Sequence, residues 1–423
     1  MTSIFTHFRL STVTFFLYFA LGAFTPVFGL YLTDRLHFSG KESGLIMSAS
    51  AISVLVSPLV CSFLADRLIS AERLFGILLV GGGILMSVLY NLTTFWPFLV
   101  VYLFYTVTVS ATGSLSNVII FHQVGDRREY GRIRVWGSLG WIAVAWVFGW
   151  LWLRGTGGAP LPARLPHALL LCALTMVALG CYSFTLPASV KLDRNRKPEF
   201  FPRAAFAILR RPEVLGLALI TLAANITDRT YYYAAAIFLK QSGIAEANVM
   251  PLMSLGQIPE VFGMIFLGRL TTRLGLVPVM LLGSLFNIAR YLFFIFGGGG
   301  TLALTGGILM HGFAYAFFFA AVFILLDGLT EPQSRAGVHQ LFTLVYSGFG
   351  ALLGSWIAGA ILDACTAADG HTVNFHWFWF MPLTLAVTVT LSLFIWYRRT
   401  KPLVPACPAP APVLPATELD EPG

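Results

Sequence analysis

The sequence predicts an all-α membrane protein of twelve transmembrane helices in two pseudo-symmetric six-helix bundles, and three observations carry that prediction. Of 423 residues, 57% are hydrophobic and 11% charged, whereas a soluble domain carries about 25% charged residues. Most of the surface therefore cannot face water, which excludes a soluble enzyme on a single anchor. The apolar residues gather into twelve runs, each near the roughly 20 residues that one helical crossing needs. The second half of the chain also echoes the first at an offset of about 200 residues.

The runs fall near 10–32, 43–65, 74–91, 95–121, 132–153, 166–186, 213–239, 248–268, 275–296, 301–326, 337–362 and 376–397. Chain breakers separate them at Gly155 to Pro166 and at Gly297 to Gly300. The first run, Leu10 to Leu32, is long enough to span and to stay, so no cleaved signal is expected. The expected organisation is a bundle over 1–186, a cytoplasmic connector over 187–211, a second bundle over 212–397 and a tail over 398–423. That tail is too proline-rich to fold and is expected to be disordered.

The formal charge of +8 does not mark a nucleic-acid surface, because the basic residues are not gathered on one soluble face. With the N-terminus inside, about 19 Lys and Arg lie on the cytoplasmic face, seven of them in the connector from Lys191 to Arg211. The opposite face holds five: Arg35, Lys41, Arg154, Arg164 and Lys240. This bias predicts both termini inside a bacterial inner membrane. The five cysteines (Cys61, Cys172, Cys181, Cys365, Cys407) show no metal-like spacing and read as packing thiols. Arg134, Arg229, Arg290, Asp228 and Glu260 remain inside spans and need an explanation.

The internal repeat is read from FLADRLISAERLFG (63–76) against FLGRLTTRLGLVPV (266–279). The openings of spans 5 and 11 match in the same way, basic and then glycine-rich. Two parallel six-helix repeats joined by a long basic loop resemble the major facilitator superfamily, in which the halves rock about a midplane site. The Asp66-Arg67 turn resembles that superfamily's loop signature in part, with Ala65 and Leu68-Ile69-Ser70 departing from it. The resemblance implies a cytoplasmic gate there; an ordinary solvated turn with an Asp–Arg pair is the other reading.

Five segments carry a narrower resemblance: IRVWGSLGW (133–141), AANITD (223–228), GQIPE (256–260), NIARYLFF (287–294) and RAGVHQLFTLVYSGFGALLGSWIAG (335–359). In order, and over nearly the whole chain, they are similar to the bacterial nucleoside:proton symporter family. The resemblance implies ligand positions at Arg134, Ser138, Trp141, Asn225, Asp228, Gln257, Glu260, His311 and Tyr315. The chain departs from the family at His311 (a tyrosine there), at Ala316 (an aspartate there), and at Asn225 and Asp228 (Gln and Asn there). Losing one intramembrane acid and gaining another implies altered coupling or substrate choice.

Helical spacing gives an independent reading. Arg134, Ser138 and Trp141 share one helix face, as do Asn225, Asp228 and Tyr232, Gln257 and Glu260, and His311, Tyr315 and Phe318. A lone charge at the bilayer centre costs at least about 2.5–3.5 kcal/mol, so these stripes are expected to face one wet cavity. Asn225 and Gln257 offer donors and acceptors to hydroxyls or a base edge, and Trp141 and Tyr315 offer flat faces to a ring. Glu260 is expected to carry the transported proton with Arg134 as its partner, and the neighbouring Pro259 suggests a bend. Asp228 is a second proton candidate or a structural pair with Arg229. Arg290 is expected to pair with helix ends or to snorkel, His311 to pack or to bind, and Asn117 to bridge helices. With His311 neutral, Asp228 and Glu260 against Arg134 and Arg229 balance to zero, which favours a neutral polar solute.

Proton-coupled import of such a solute, most of all a nucleoside, is the expected function. The alternatives are a sugar or aromatic-acid importer, and a membrane sensor that binds without transport. No HExxH, GxSxG or Walker lysine loop suggests an enzyme. No cofactor, metal site or nucleic-acid partner is expected, and the partners are solute, protons and lipid around a monomer.

Overall fold

The structure, a computed structural model, describes residues 4–54, 56–57, 69–124, 127–154, 164–187, 203–331, 335–370 and 372–400. The expected gate pair Asp66 and Arg67, the end of the second span, most of the connector, His371 and the tail beyond Thr400 lie outside these residues.

Described in chain order, the long helices are α1 (Phe5–Arg35), α2 (Gly40–Ser48), α3 (Ala71–Asn91) and α4 (Phe95–Val124). They continue with α5 (Tyr130–Leu153), α6 (His167–Ser183), α7 (Pro212–Gln241) and α8 (Glu246–Leu274). The series ends with α9 (Leu276–Phe296), α10 (Thr301–Leu329), α11 (Gly337–Cys365) and α12 (Phe375–Thr400). Nine of them, α1, α3, α4, α5 and α8–α12, are long and apolar enough to cross a membrane among the described residues. At 17 residues α6 is shorter, and the apolar character of the continuous 30-residue α7 is interrupted in its middle by Asn225, Thr227, Asp228, Arg229 and Thr230. A short helix, Arg203–Leu209, precedes α7.

Local chemistry sets several boundaries. Ser39 and Glu42 form a reciprocal capping box at the start of α2, and Pro212 opens α7, where its missing N–H is unneeded. Gly275, at φ +91°, turns the chain from α8 into α9 with no room for a further residue. The helix α8 is interrupted at Leu255–Gly256, one turn ahead of Pro259. The proline ring has no N–H for the Leu255 carbonyl, which takes the Ile258 amide instead (3.1 Å). Residues Tyr315–Phe319 in α10 and Leu344–Phe349 in α11 widen into π-helical turns, a geometry often found at functional sites.

In the first part of the chain, α1 packs along α5 and α6, and α3 lies against α4 and α6. In the last part, α9 packs on α10 and α12, and α7 on α11 and α12. Among the described residues the main crossings that join the two parts are α1 to α7, α2 to α11 and α5 to α8, and their hydrogen bonds run along one end of the molecule. There Lys240 meets Asp34 (2.5 Å) and Glu246 (2.6 Å). Tyr233 donates to the Gly40 carbonyl (2.8 Å), and Trp146 and Trp150 donate to Ser254 (3.1 Å) and Asn248 (3.2 Å). The Gly40 and Lys41 amides donate to Asp363 at 2.5 and 2.9 Å. Helices α2 and α11 touch backbone to backbone, and a methyl group on Gly359 would overlap the Gly40 carbonyl oxygen. This seam closes one end of the space between the two parts.

Candidate functional site

Behind the seam lies a chamber of about 660 Å³, walled by α1, α2, α4, α5, α7, α8, α10 and α11. Aromatic rings dominate its lining, among them Phe28, Tyr102, Trp141, Tyr232, Tyr315 and Tyr346. Its polar groups are concentrated on α7, which supplies Asn225, Asp228 and Arg229. A recess of about 160 Å³ holds Arg134, Ser138, Gln257 and Glu260, and it shares Trp141, Tyr232 and Tyr315 with the chamber. Eight of the nine residues singled out from the sequence therefore border these two adjoining cavities.

The recess explains how two charges sit within the span region. Arg134 lies over the Tyr18 ring, 4.3 Å from its centre, an attraction between cation and ring face that needs no water. Glu260 stands in the first turn after the break in α8, where the positive end of the helix dipole favours a carboxylate. Both line the recess, yet no ion pair within 4 Å joins them. The two expected partners share the recess without a direct ion pair among the described residues. A solute or water in the recess would lie between them.

A second cluster lies behind the α7 wall. Asp228 is 8% exposed and borders the chamber. Its oxygen stands 3.5 Å from Arg290 and 3.4 Å from His311 Nδ1. Arg290, 1% exposed, also donates to Asn287 Oδ1 (2.6 Å) and Tyr291 Oη (2.7 Å). The rings of Tyr231 and Tyr291 lie 4.6 and 4.7 Å from its guanidinium carbon. Tyr291 in turn donates to the Thr227 carbonyl (2.7 Å), and Asn287 donates to Thr227 Oγ1 (3.0 Å). The cluster ties α7, α9 and α10 together, and it meets the requirement that a buried charge be paired and hydrogen-bonded.

Residues 4–402 match the protein family described as Nucleoside H+ symporter. The chain belongs to that family. YegT of Escherichia coli (strain K12) is 32% identical over 363 residues, with 84% of each chain covered. Xanthosine permease of the same organism is 24% identical over 377 residues, covering 84% of this chain and 87% of that one. The crystal structure of the nucleoside transporter NupG superposes with a TM-score of 0.82 at 20% identity, covering 93% of this chain and 99% of that one. A bacterial homologue of the lysosomal transporter Spinster gives 0.71 at 14% identity, covering 96% and 98%. These likenesses show that this family member shares the fold of those two transporters.

Against that background, four sequence expectations change. His311 does not border the chamber; it is 3% exposed, behind Tyr232. Asp228 pairs with Arg290, with His311 Nδ1 lying 3.4 Å from the same oxygen, because the adjacent Arg229 points about 100° away around the helix. Arg229 instead donates to Asn225 Oδ1 (3.5 Å) and faces the chamber. Arg290 neither snorkels nor meets a helix end; it is the buried partner of Asp228. Counting it, the intramembrane acids and arginines sum to one positive charge rather than zero. Asn117 bridges helices as expected, accepting from Tyr130 at 3.0 Å. Tyr18, Tyr102, Tyr346 and the α9 residues Asn287 and Tyr291 were not singled out as site residues. Asn287 was legible as an i, i+3 and i, i+4 neighbour of Arg290 and Tyr291, but the sequence does not say which neighbour that face meets. No group of three or more His, Cys, Asp or Glu side chains suited to a metal occurs among the described residues.

Proposed function

We propose that this chain is a proton-coupled carrier that imports nucleosides across a bacterial inner membrane by alternating access. The observation that carries the reading is convergence. Polar and aromatic side chains of α5, α7 and α8, with Tyr315 of α10, border a chamber and an adjoining recess that share Trp141, Tyr232 and Tyr315. A nucleoside needs flat faces for its base and amides or hydroxyls for its sugar, and Trp141, Tyr315, Asn225, Ser138 and Gln257 supply both. Membership of the nucleoside H+ symporter family supports the substrate class and the coupling ion.

In this reading α1–α6 and α7–α12 are two six-helix bundles of a monomer with both termini cytoplasmic. The Asp34–Lys240 end is then the external gate, drawn shut, and the chamber faces the cytoplasm. Glu260 carries the proton: its recess adjoins the solute chamber, so solute and proton compete for or share the Arg134 side. Asp66 and Arg67 belong to the opposite gate. The test is uptake of labelled uridine, adenosine, a disaccharide and an aromatic acid into cells lacking their own carriers, with and without an uncoupler. Concentrative uptake of a nucleoside that collapses with the proton gradient is expected. Binding without accumulation, sodium dependence, or uptake confined to the sugar or the acid would overturn the reading.

A further inference from the structure

The cluster behind the α7 wall fixes the direction of one hydrogen bond that reaches the chamber. Arg290 Nη1 lies 2.6 Å from His311 Nδ1, and a guanidinium has donors only. Nδ1 must therefore accept, which leaves the imidazole proton on Nε2. Nε2 lies 3.0 Å from Tyr232 Oη, so the imidazole donates to the phenol oxygen. A tyrosine hydroxyl left to itself serves as donor or acceptor. This one receives from His311 and keeps its own proton to give, and no other partner for it is found among the described residues. Tyr232 borders both the chamber and the recess.

The imidazole has little freedom to reverse this order. It is stacked on Tyr231 at 4.6 Å, and Arg290 is held in turn by Asn287 and Tyr291. Flipping the ring would aim the Cδ2–H at the guanidinium, and the other tautomer would aim an N–H at it. We propose that Tyr232 is a specificity-determining residue: a one-way donor, set by Arg290 through His311, that selects a solute group able to accept a hydrogen bond. Resting on the carrier reading above, it assigns Tyr232 to a carbonyl, ring nitrogen or sugar oxygen of the nucleoside. Arg290 and His311 are positioning residues that act through it. The arrangement also gives the histidine at position 311 a role without contact to the solute.

The experiment measures uridine binding to the purified full chain in detergent, alongside uridine analogues that each lack one acceptor (2′-deoxy, 3′-deoxy, 5′-deoxy, and the riboside without the 4-carbonyl). Tyr232→Phe removes one oxygen and keeps the ring. It is expected to raise the Kd for uridine about 3- to 10-fold, the worth of one neutral hydrogen bond. One analogue should lose a similar factor on the parent protein and lose nothing further on Tyr232→Phe. His311→Leu should weaken uridine binding like Tyr232→Phe. His311→Gln, whose amide accepts from Arg290 and donates to Tyr232, should recover most of that loss. If Tyr232→Phe keeps the parent's affinity and analogue profile, or weakens all analogues equally, the residue only packs and the proposal fails. A failure of His311→Leu to fold leaves Tyr232→Phe and the analogue series to decide. A parent protein that binds no nucleoside at all overturns the carrier reading, and this proposal with it.

Discussion

Asp363 sits on α11, yet both of its hydrogen bonds go to α2. Its carboxylate takes the amides of Gly40 and Lys41 at 2.5 and 2.9 Å, the first two donors of a helix whose N-terminus carries partial positive charge. Replacing it with alanine removes both bonds. The Ser39–Glu42 capping box remains, so α2 stays helical and the loss falls on the α2–α11 seam. A lost N-cap contact costs about 0.5–2 kcal/mol, and bonds to a charged group about 1.5–3 kcal/mol when fully desolvated. For this half-buried carboxylate about 1–2 kcal/mol is expected, a shift of about 5- to 30-fold toward the state open at that end. The assay is alkylation of a cysteine placed at Met47, a residue of the chamber wall, in a chain whose own cysteines have been replaced. The reagent is an impermeant maleimide added to whole cells. Asp363→Ala should raise the alkylation rate by that factor, and Asp363→Asn by less, since an amide oxygen still accepts. A rate within twofold of the parent would show that the carboxylate does not hold the seam shut.

Three further outcomes test the chamber. Glu260→Gln should abolish proton-driven accumulation while nucleoside exchange across proteoliposomes continues; retained concentrative uptake would remove Glu260 from the coupling role. Trp141→Ala should weaken solute binding roughly tenfold through the lost ring face, read as the half-saturation of uptake, and an unchanged value would reduce Trp141 to packing. Arg290→Leu strips Asp228, Asn287 and Tyr291 of a common donor in a buried site and should destabilise the fold by about 3–5 kcal/mol. Thermal unfolding in detergent reads that loss. Arg290→Leu with Asp228→Leu should recover part of it, because the second substitution removes the stranded charge.

How much of the site could be read from the sequence follows from the solvent. In an apolar span nearly every polar side chain needs a reason, so Arg134, Asn225, Asp228, Gln257 and Glu260 stood out against their neighbours. Helical spacing then put each set on one face, and the structure places those faces on the same space. Spacing alone did not rank partners. Arg229 follows Asp228 in the chain but points elsewhere, while Arg290, 62 positions later, arrives from α9. His311 shares a face with Tyr315, but the Tyr232 ring covers it and leaves only Tyr315 of the two on the chamber. Pro259 correctly signalled an irregular α8, although the break itself falls one turn earlier, at Leu255–Gly256.

The sequence by itself determined that this chain is helical and lives in a membrane. Composition and run length follow from transfer free energies summed along the chain, which need no knowledge of neighbours. It also determined the family, because motifs spread from Ile133 to Gly359 keep their order. Only the tertiary structure decided who pairs with whom. It set Arg290 on Asp228, left Arg134 on Tyr18 rather than on Glu260, and capped α2 with Asp363 of α11. Those choices depend on which helix faces meet, and long-range packing fixes that where a period of 3.6 residues cannot.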